Sequence, residues 1–192
     1  VDFLRTHGVT LPLVECGKRP PSGRARPEVQ ADVAYLQLTS GSTGAPRCIE
    51  VTHRGVLQHA RSTALFNVRG EGEVDLNWLP PDHVGPLVAC HLADVCEGRE
   101  QVQVATAWVL GDPLRWLDLL DAHGATHTWS PNFGYKLVAE RLPPTTARRW
   151  DLSRVRTFMT GGEQVTLEVM RRFVERAEPY GVAEGALQPA FG

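Results

Sequence analysis

The feature that most narrows the fold is an alternation of two periods. Short β-rich apolar runs recur along the chain, and stretches with helical spacing lie between them. Residues 33–38, 49–51, 74–79, 102–105, 126–129, 155–159 and 187–191 read as strands. Residues 54–66, 83–95, 113–122, 133–142 and 167–177 read as helices. Asp112 before Pro113 is a start signal, and Gly98, Gly124 and Pro143 are stops. In the last helix the spacing predicts that Leu167, Met170, Val174 and Ala177 face inward. Such a rhythm predicts an α/β fold with a mainly parallel sheet flanked by helices, the first run being a buried strand of the core. Ligands of such sheets gather beyond the carboxyl ends of the strands. That rule singles out the loops after Leu38, Leu79 and Met159.

Composition excludes several classes. The chain has 192 residues, 42% hydrophobic and 22% charged, which suits one globular domain rather than a disordered or fibrous chain. A net charge of −2 offers no general handle for nucleic acid or an anionic membrane, so neither is expected as a partner. No apolar run approaches the roughly 18 residues of a membrane span. Cys16, Cys48, Cys90 and Cys96 form no C-x-x-C pair, so reduced thiols and a cytoplasmic location are expected. Residues 17–31 hold three Pro and two Gly with no hydrophobic period and read as a solvated loop. The chain starts at Val1, with neither an initiator Met nor a signal-peptide pattern, and reads as a piece of something longer.

The loop after the first run carries the most chemistry. Thr39, Ser40, Ser42 and Thr43 supply hydroxyl donors, and Gly41 and Gly44 let the backbone turn its N–H groups inward. Arg47 adds a fixed positive charge just beyond Pro46. This arrangement suits a polyphosphate. It is not a P-loop, because no Gly-Lys-Ser/Thr follows at the required spacing. The stretch Leu38-Thr39-Ser40-Gly41-Ser42-Thr43-Gly44-Ala45-Pro46-Arg47 closely resembles the phosphate-loop signature of the adenylate-forming superfamily. That superfamily includes acyl-CoA synthetases, adenylation domains of nonribosomal peptide synthetases and fatty acyl-AMP ligases. Val51-Thr52-His53-Arg54 matches the usual continuation. The sequence departs from the pattern at Arg47, where the family usually has Lys, and at Cys48, where it usually has Gly.

Two more segments extend the resemblance on the acyl side. Taken alone, His83 at the opening of an apolar helix reads as a capping or packing residue. Asp82 beside it makes no dyad, because adjacent side chains rarely face each other and no G-x-S-x-G elbow is present. Within the resemblance, Leu79-Pro80-Pro81-Asp82-His83 is similar to the Leu-Pro-x-x-His motif of acyl-activating members. His83 is then the candidate catalytic residue at the mouth of the carboxylate site. Val84 stands where amino-acid-activating members place an Asp to grip the substrate ammonium. A valine cannot pair a buried cation, so an acid without an α-amino group is implied. In Trp129-Ser130-Pro131-Asn132-Phe133-Gly134-Tyr135, the residues alone predict that Asn132 caps a helix and that Phe133 and Tyr135 pack. The same stretch resembles the Pro-Asn-Phe-x-Tyr segment that lines the acyl tunnel of fatty acyl-AMP ligases. His83, Val84, Gly85, Asn132 and Phe133 form the implied acyl pocket.

On the nucleotide side, Gly161 and Gly162 permit close approach of a flat ligand to backbone, and Glu163 is placed to cap the next helix. Thr160-Gly161-Gly162-Glu163 resembles the superfamily's adenine-side turn. Pro189-Ala190-Phe191-Gly192 resembles the start of the motif whose aromatic stacks on adenine, a role falling to Phe191. Gly161, Gly162, Glu163, Phe191 and Gly192 are the implied adenine site. The resemblance implies ATP and Mg²⁺, a carboxylic-acid substrate, and an acyl or peptidyl carrier protein whose phosphopantetheine thiol takes the acyl group. The Thr-Glu pair, ribose-binding Asp, hinge and lid-domain Lys of family members do not occur in these 192 residues. The chain is therefore expected to be a partial adenylation domain without its C-terminal lid, and inactive by itself. Two other readings stay open: an amino-acid adenylation domain, and a non-catalytic remnant serving as spacer or docking module.

The remaining patterns carry less. His123 and His127 are four apart, but Gly124 interrupts any helix between them, so no metal site is expected. Cys90-His91-Leu92-Ala93-Asp94 lacks the first His of an acyltransferase motif. Arg148, Arg149, Arg154 and Arg156 form a local basic cluster, read as a solvated or ion-paired face, with carrier-protein docking as the other reading.

Overall fold

The computed structural model of the chain describes residues 32–39, 47–67, 69–143 and 148–190; the loop expected over residues 17–31 lies outside them. Strands β1 (Val33–Thr39) and β2 (Arg47–Thr52) pair antiparallel with each other and, among the described residues, with no other strand. Leu36, Leu38 and Ile49 are 61%, 55% and 49% exposed, so the first run is not a buried core strand as expected. A short β-rich apolar run reads alike in a core strand and a two-stranded ribbon, because it records residue type and not what covers each face. Helix α1 (His53–Phe66) follows at once, with the Thr52 hydroxyl accepting the Gly55 N–H at 3.0 Å.

The expected parallel sheet is present. It contains β3 (Val74–Asn77), β4 (Glu100–Gln103), β5 (His127–Ser130), β6 (Thr157–Thr160) and β7 (Leu187–Pro189), in the order β4-β3-β5-β6-β7. Every adjacent pair is parallel. Between β3 and β4 run a π-helical segment, Pro86–Leu92, and α2 (Ala93–Glu97), closed by Gly98 at φ +67°. Helices α3 (Thr106–Gly111) and α4 (Leu114–Ala122) lead to β5, α5 (Asn132–Arg141) joins β5 to β6, and α6 (Leu167–Ala177) precedes β7.

Several boundaries differ from expectation for identifiable reasons. β3 stops at Asn77 rather than residue 79, because the Asn77 amide bonds both the N–H and the carbonyl of Leu79 and folds the chain into a turn. Asp112 bonds the Leu114 N–H at 3.2 Å, so α4 opens one residue later than predicted. Helix α3, which lies between the runs read as a strand (102–105) and a helix (113–122), is tied to the sheet by the Thr106 hydroxyl donating to the Trp78 carbonyl.

The two sides of the sheet differ in chemistry. On one, Leu76, Trp78 and Phe158 pack with Trp116, Leu117 and Leu120 of α4, Tyr135 and Val138 of α5, and Phe173 and Ala177 of α6. Tyr135 lies 5.3 Å from Trp116 and 4.9 Å from Phe173 in tilted and edge-on contacts, the geometry favoured by ring quadrupoles. In α6 the buried pair is Phe173 and Ala177, with Met170 and Val174 half-buried; Leu167, expected inward, is 60% exposed.

On the other side Asp75 meets a cluster of charges. Arg69 contacts Asp75 at 2.6 Å and Asp94 at 3.7 Å, while Arg99 contacts Asp94 at 3.0 Å and Asp75 at 3.8 Å. All four side chains are buried. Burial, reinforced by the Asp75 charge, pushes the Asp94 carboxyl up to about 7 against the pull of Arg99 and Gln101. Beside this cluster, Glu73 pairs with Arg156 and lies 3.5 Å from His127, whose ring burial and nearby arginines push it down to about 3. Among the described residues no helix is long and apolar enough to cross a membrane.

Candidate functional site

The connections from β3 and β5 leave the sheet in opposite directions. The segment after β3 crosses to the side of the charged cluster, through Cys90 and α2, whereas α5 after β5 packs on the aromatic side. The strand order therefore reverses between β3 and β5, the switch point beyond whose carboxyl ends open α/β sheets take ligands. The chain places His83, Val84 and Gly85 after β3, Asn132 and Phe133 after β5, and Gly161, Gly162 and Glu163 after β6.

On the β3 side, His83 and Val84 are exposed, and the His83 carbonyl accepts the Leu87 N–H at 3.1 Å to open the π-helical segment. Gly85 is held tightly: a Cβ there would lie 2.3 Å from one ring carbon of Trp129 and 2.7 Å from another. Trp129, a bulky aromatic at the end of β5, is a site residue that the sequence reading did not single out. Its indole N–H, the Trp78 indole N–H and the Thr160 hydroxyl are buried with no partner among the described residues. Orphaned groups of this kind are few in native proteins, and these three stand at the carboxyl ends of β3, β5 and β6.

On the β5 side the structure corrects two capping expectations. Asn132 does not cap α5. Its carbonyl oxygen accepts the Thr166 N–H at 3.2 Å, and its amide donates to the Thr166 hydroxyl at 3.4 Å. Glu163 does not cap the following helix, α6. Its carboxylate accepts the Phe133 N–H at 2.7 Å and so caps the preceding helix, α5, from thirty residues downstream. An orphan N–H of a helix start takes an anionic acceptor from wherever the fold supplies one, and no local spacing encodes that partner. The Phe133 ring stands edge-on to Trp78, centroids 6.0 Å apart. Gly134 leaves no space for a side chain, since a Cβ would lie 2.1 Å from the Ser130 hydroxyl oxygen and 2.9 Å from Trp78.

The β6 turn is equally close-fitting. A Cβ on Gly161 would lie 2.7 Å from the Ala190 carbonyl oxygen, and Gly162 sits at φ +85°. The Ala190 N–H in turn donates to the Thr160 carbonyl at 2.7 Å. The fold thus brings Phe133 of the acyl-side candidates against Glu163 of the adenine-side candidates. Of the phosphate-loop candidates, Thr39 and Arg47 face each other in register as the last and first residues of β1 and β2. Ser40, Gly41, Ser42, Thr43 and Gly44 lie outside the described residues, as do Phe191 and Gly192.

Cys90 is buried, which pushes its thiol up to about 12, and Asp94 is engaged in the charged cluster. His127 bonds the Thr126 hydroxyl, and among the described residues no group of His, Cys, Asp or Glu is arranged to hold a metal ion. In the basic cluster Arg148 reaches Asp112 at 3.2 Å and Asp118 at 3.6 Å, and Arg156 binds Glu73.

With this geometry in place, the comparisons with known proteins agree among themselves. Residues 7–188 match the family described as AMP-binding enzyme. Nonribosomal peptide synthetase btyA of Aspergillus terreus is 36% identical over 165 residues, which cover 84% of this chain and 18% of that protein. The medium-chain-fatty-acid–[acyl-carrier-protein] ligase JamA of Moorena producens is 30% identical, covering 87% of this chain and 28% of that protein. A solved adenylation domain of a keto acid-selecting nonribosomal peptide synthetase module, bound to keto acyl adenylate, superposes with a TM-score of 0.78 at 36% identity. That match covers 84% of this chain and 29% of the solved one. The chain spans less than a third of the length of each of these relatives.

Proposed function

The chain belongs to the AMP-binding enzyme family, and from that premise we propose that it forms part of an acyl-activating enzyme working with ATP in the cytoplasm. The carboxylate of an acid attacks the α-phosphate, a P–O bond forms, and pyrophosphate leaves with the electrons of the bond that breaks. The acyl adenylate is then attacked by the phosphopantetheine thiol of a carrier protein, which releases AMP. The observation that carries this reading is the meeting of three turns, Gly85 against Trp129, Asn132 and Phe133 at the start of α5, and Gly161 to Glu163, beside orphaned polar groups at strand ends. On this reading Thr39 to Gly44 with Arg47 hold phosphates, and the Gly161–Glu163 turn with Phe191 and Gly192 receives adenosine. His83, Val84, Gly85, Asn132 and Phe133 shape the acyl pocket. Mg²⁺ would enter with ATP and neutralise phosphate charge.

Val84 is 53% exposed and offers no charge. An α-ammonium brought beside it would lack a partner and, once desolvated, cost several kcal/mol, on the order of what a broken buried ion pair costs. On this reading the substrate is an acid without an α-amino group; of two similarly close solved domains, one is bound to keto acyl adenylate and the other, from McyG, to phenylalanyl-adenylate. Acid-dependent exchange of pyrophosphate into ATP by the intact protein tests this. Simple carboxylic or 2-oxo acids should exchange faster than amino acids, and the reverse order would overturn the assignment.

A further inference from the structure

We propose that Glu163 is a positioning residue that couples the acid side of the site to its nucleotide side. The inference rests on the function proposed above. Three hydrogen bonds join the first turn of α5 to the segment after β6: Phe133 N–H to the Glu163 carboxylate at 2.7 Å, Thr166 N–H to the Asn132 carbonyl oxygen at 3.2 Å, and the Asn132 amide to the Thr166 hydroxyl at 3.4 Å. The shortest of the three has a charged acceptor, which makes it the strongest. All three lie at the surface, where water can serve the same groups. Their worth to folding is therefore small. What water cannot supply is a fixed relation between Phe133 and Gly161–Gly162.

Both partners are otherwise stiff. Behind Phe133, α5 is anchored by the Tyr135 hydroxyl on the Met159 carbonyl at 2.6 Å and by Gly134 against Ser130 and Trp78. Behind Glu163, Gly161 is pressed to the Ala190 carbonyl and Gly162 holds a left-handed φ. A displacement of the Phe133 turn by a bound acid can thus be passed to the adenine-side turn through Glu163, the link closest to Gly161 and Gly162, alongside the Asn132–Thr166 pair and the Tyr135 anchor. Such coupling is reciprocal: if acid tightens nucleotide, nucleotide tightens acid by the same factor.

The test uses the intact protein. Decanoate, 4-methyl-2-oxopentanoate and phenylalanine are first screened for pyrophosphate exchange. The affinity for AMP is then measured by calorimetry with and without the most active acid, in wild type, Glu163→Ala and Glu163→Gln. Hydrogen exchange at the Phe133 amide is followed with AMP alone. In wild type the acid should tighten AMP by about fivefold or more, a typical allosteric coupling. In Glu163→Ala that ratio should fall below about twofold, whatever happens to AMP affinity without acid; Glu163→Gln, which keeps an acceptor, should restore most of it. AMP should slow exchange at the Phe133 amide in wild type, a readout that needs no variant. An unchanged ratio in Glu163→Ala, no ratio in wild type, or an amide indifferent to AMP would overturn the coupling while leaving the function standing. If none of the three acids supports exchange, the proposed function fails and the coupling falls with it.

Discussion

At the scale of single residues, burial rather than residue type decides behaviour. Asp94 is held up to about 7 and His127 down to about 3. The two oppose each other in pH dependence. The folded state binds the Asp94 proton more tightly than the unfolded chain, so this group's contribution to stability falls as pH rises from about 4 to about 7. His127 is more reluctant to charge in the fold, so its contribution is lost as pH falls below about 6.5 toward 3. Denaturant midpoints between pH 4 and 7 should therefore move in opposite senses for the two variants: Asp94→Asn should make stability rise more with pH than in wild type, and His127→Gln should make it rise less. Parallel profiles would refute the assignment. Gly85→Ala tests a steric requirement. The new Cβ meets the Trp129 ring at 2.3 Å, so unfolding should become easier by about 1 to 3 kcal/mol, the usual cost of overpacking, as read by urea titration. None of these buried partners had a local signature. Asp75, in the middle of β3, is held by Arg69 from the preceding turn and by Arg99 from beyond α2.

Among elements, legibility followed how much of the signal is local. Helix α6 was readable to its limits, 167–177, because a full amphipathic period is written in its own residues, but its buried pair includes Phe173, which the chosen stripe left out. The π-helical Pro86–Leu92 was not readable, because its wider turn depends on packing against the sheet face rather than on spacing. The turns bearing Gly85, Asn132, Phe133 and Gly161–Glu163 were legible as strand-end loops. Their mutual contacts were not, since the Glu163 to Phe133 bond spans thirty residues. Caps give an element-scale prediction. Thr52→Ala removes the acceptor of the Gly55 N–H at the start of α1 and should cost about 1 kcal/mol, whereas Thr52→Ser should cost only a few tenths, both from chemical denaturation. Equal effects of the two substitutions would show that the cap does not hold α1.

For the molecule as a whole, the parallel sheet with helices on both sides follows from the alternation of periods, and the family follows from motifs at its strand ends. One part departed from that scheme. β1 and β2 stand as a separate ribbon, held at its root by the His53 N–H on the Asp32 carbonyl at 3.0 Å. Since the chain spans less than a third of its relatives, residues 1–192 alone should show no acid-dependent pyrophosphate exchange. Turnover by this segment would contradict the dependence of the chemistry on groups outside it. The ribbon also has a mechanical consequence. Among the described residues, no rung joins it to the five-stranded ladder. On the proposed assignment a nucleotide would rest its phosphates on the ribbon and its base on the β6 turn. It would then act as a strut, bracing two separately supported jaws into one frame.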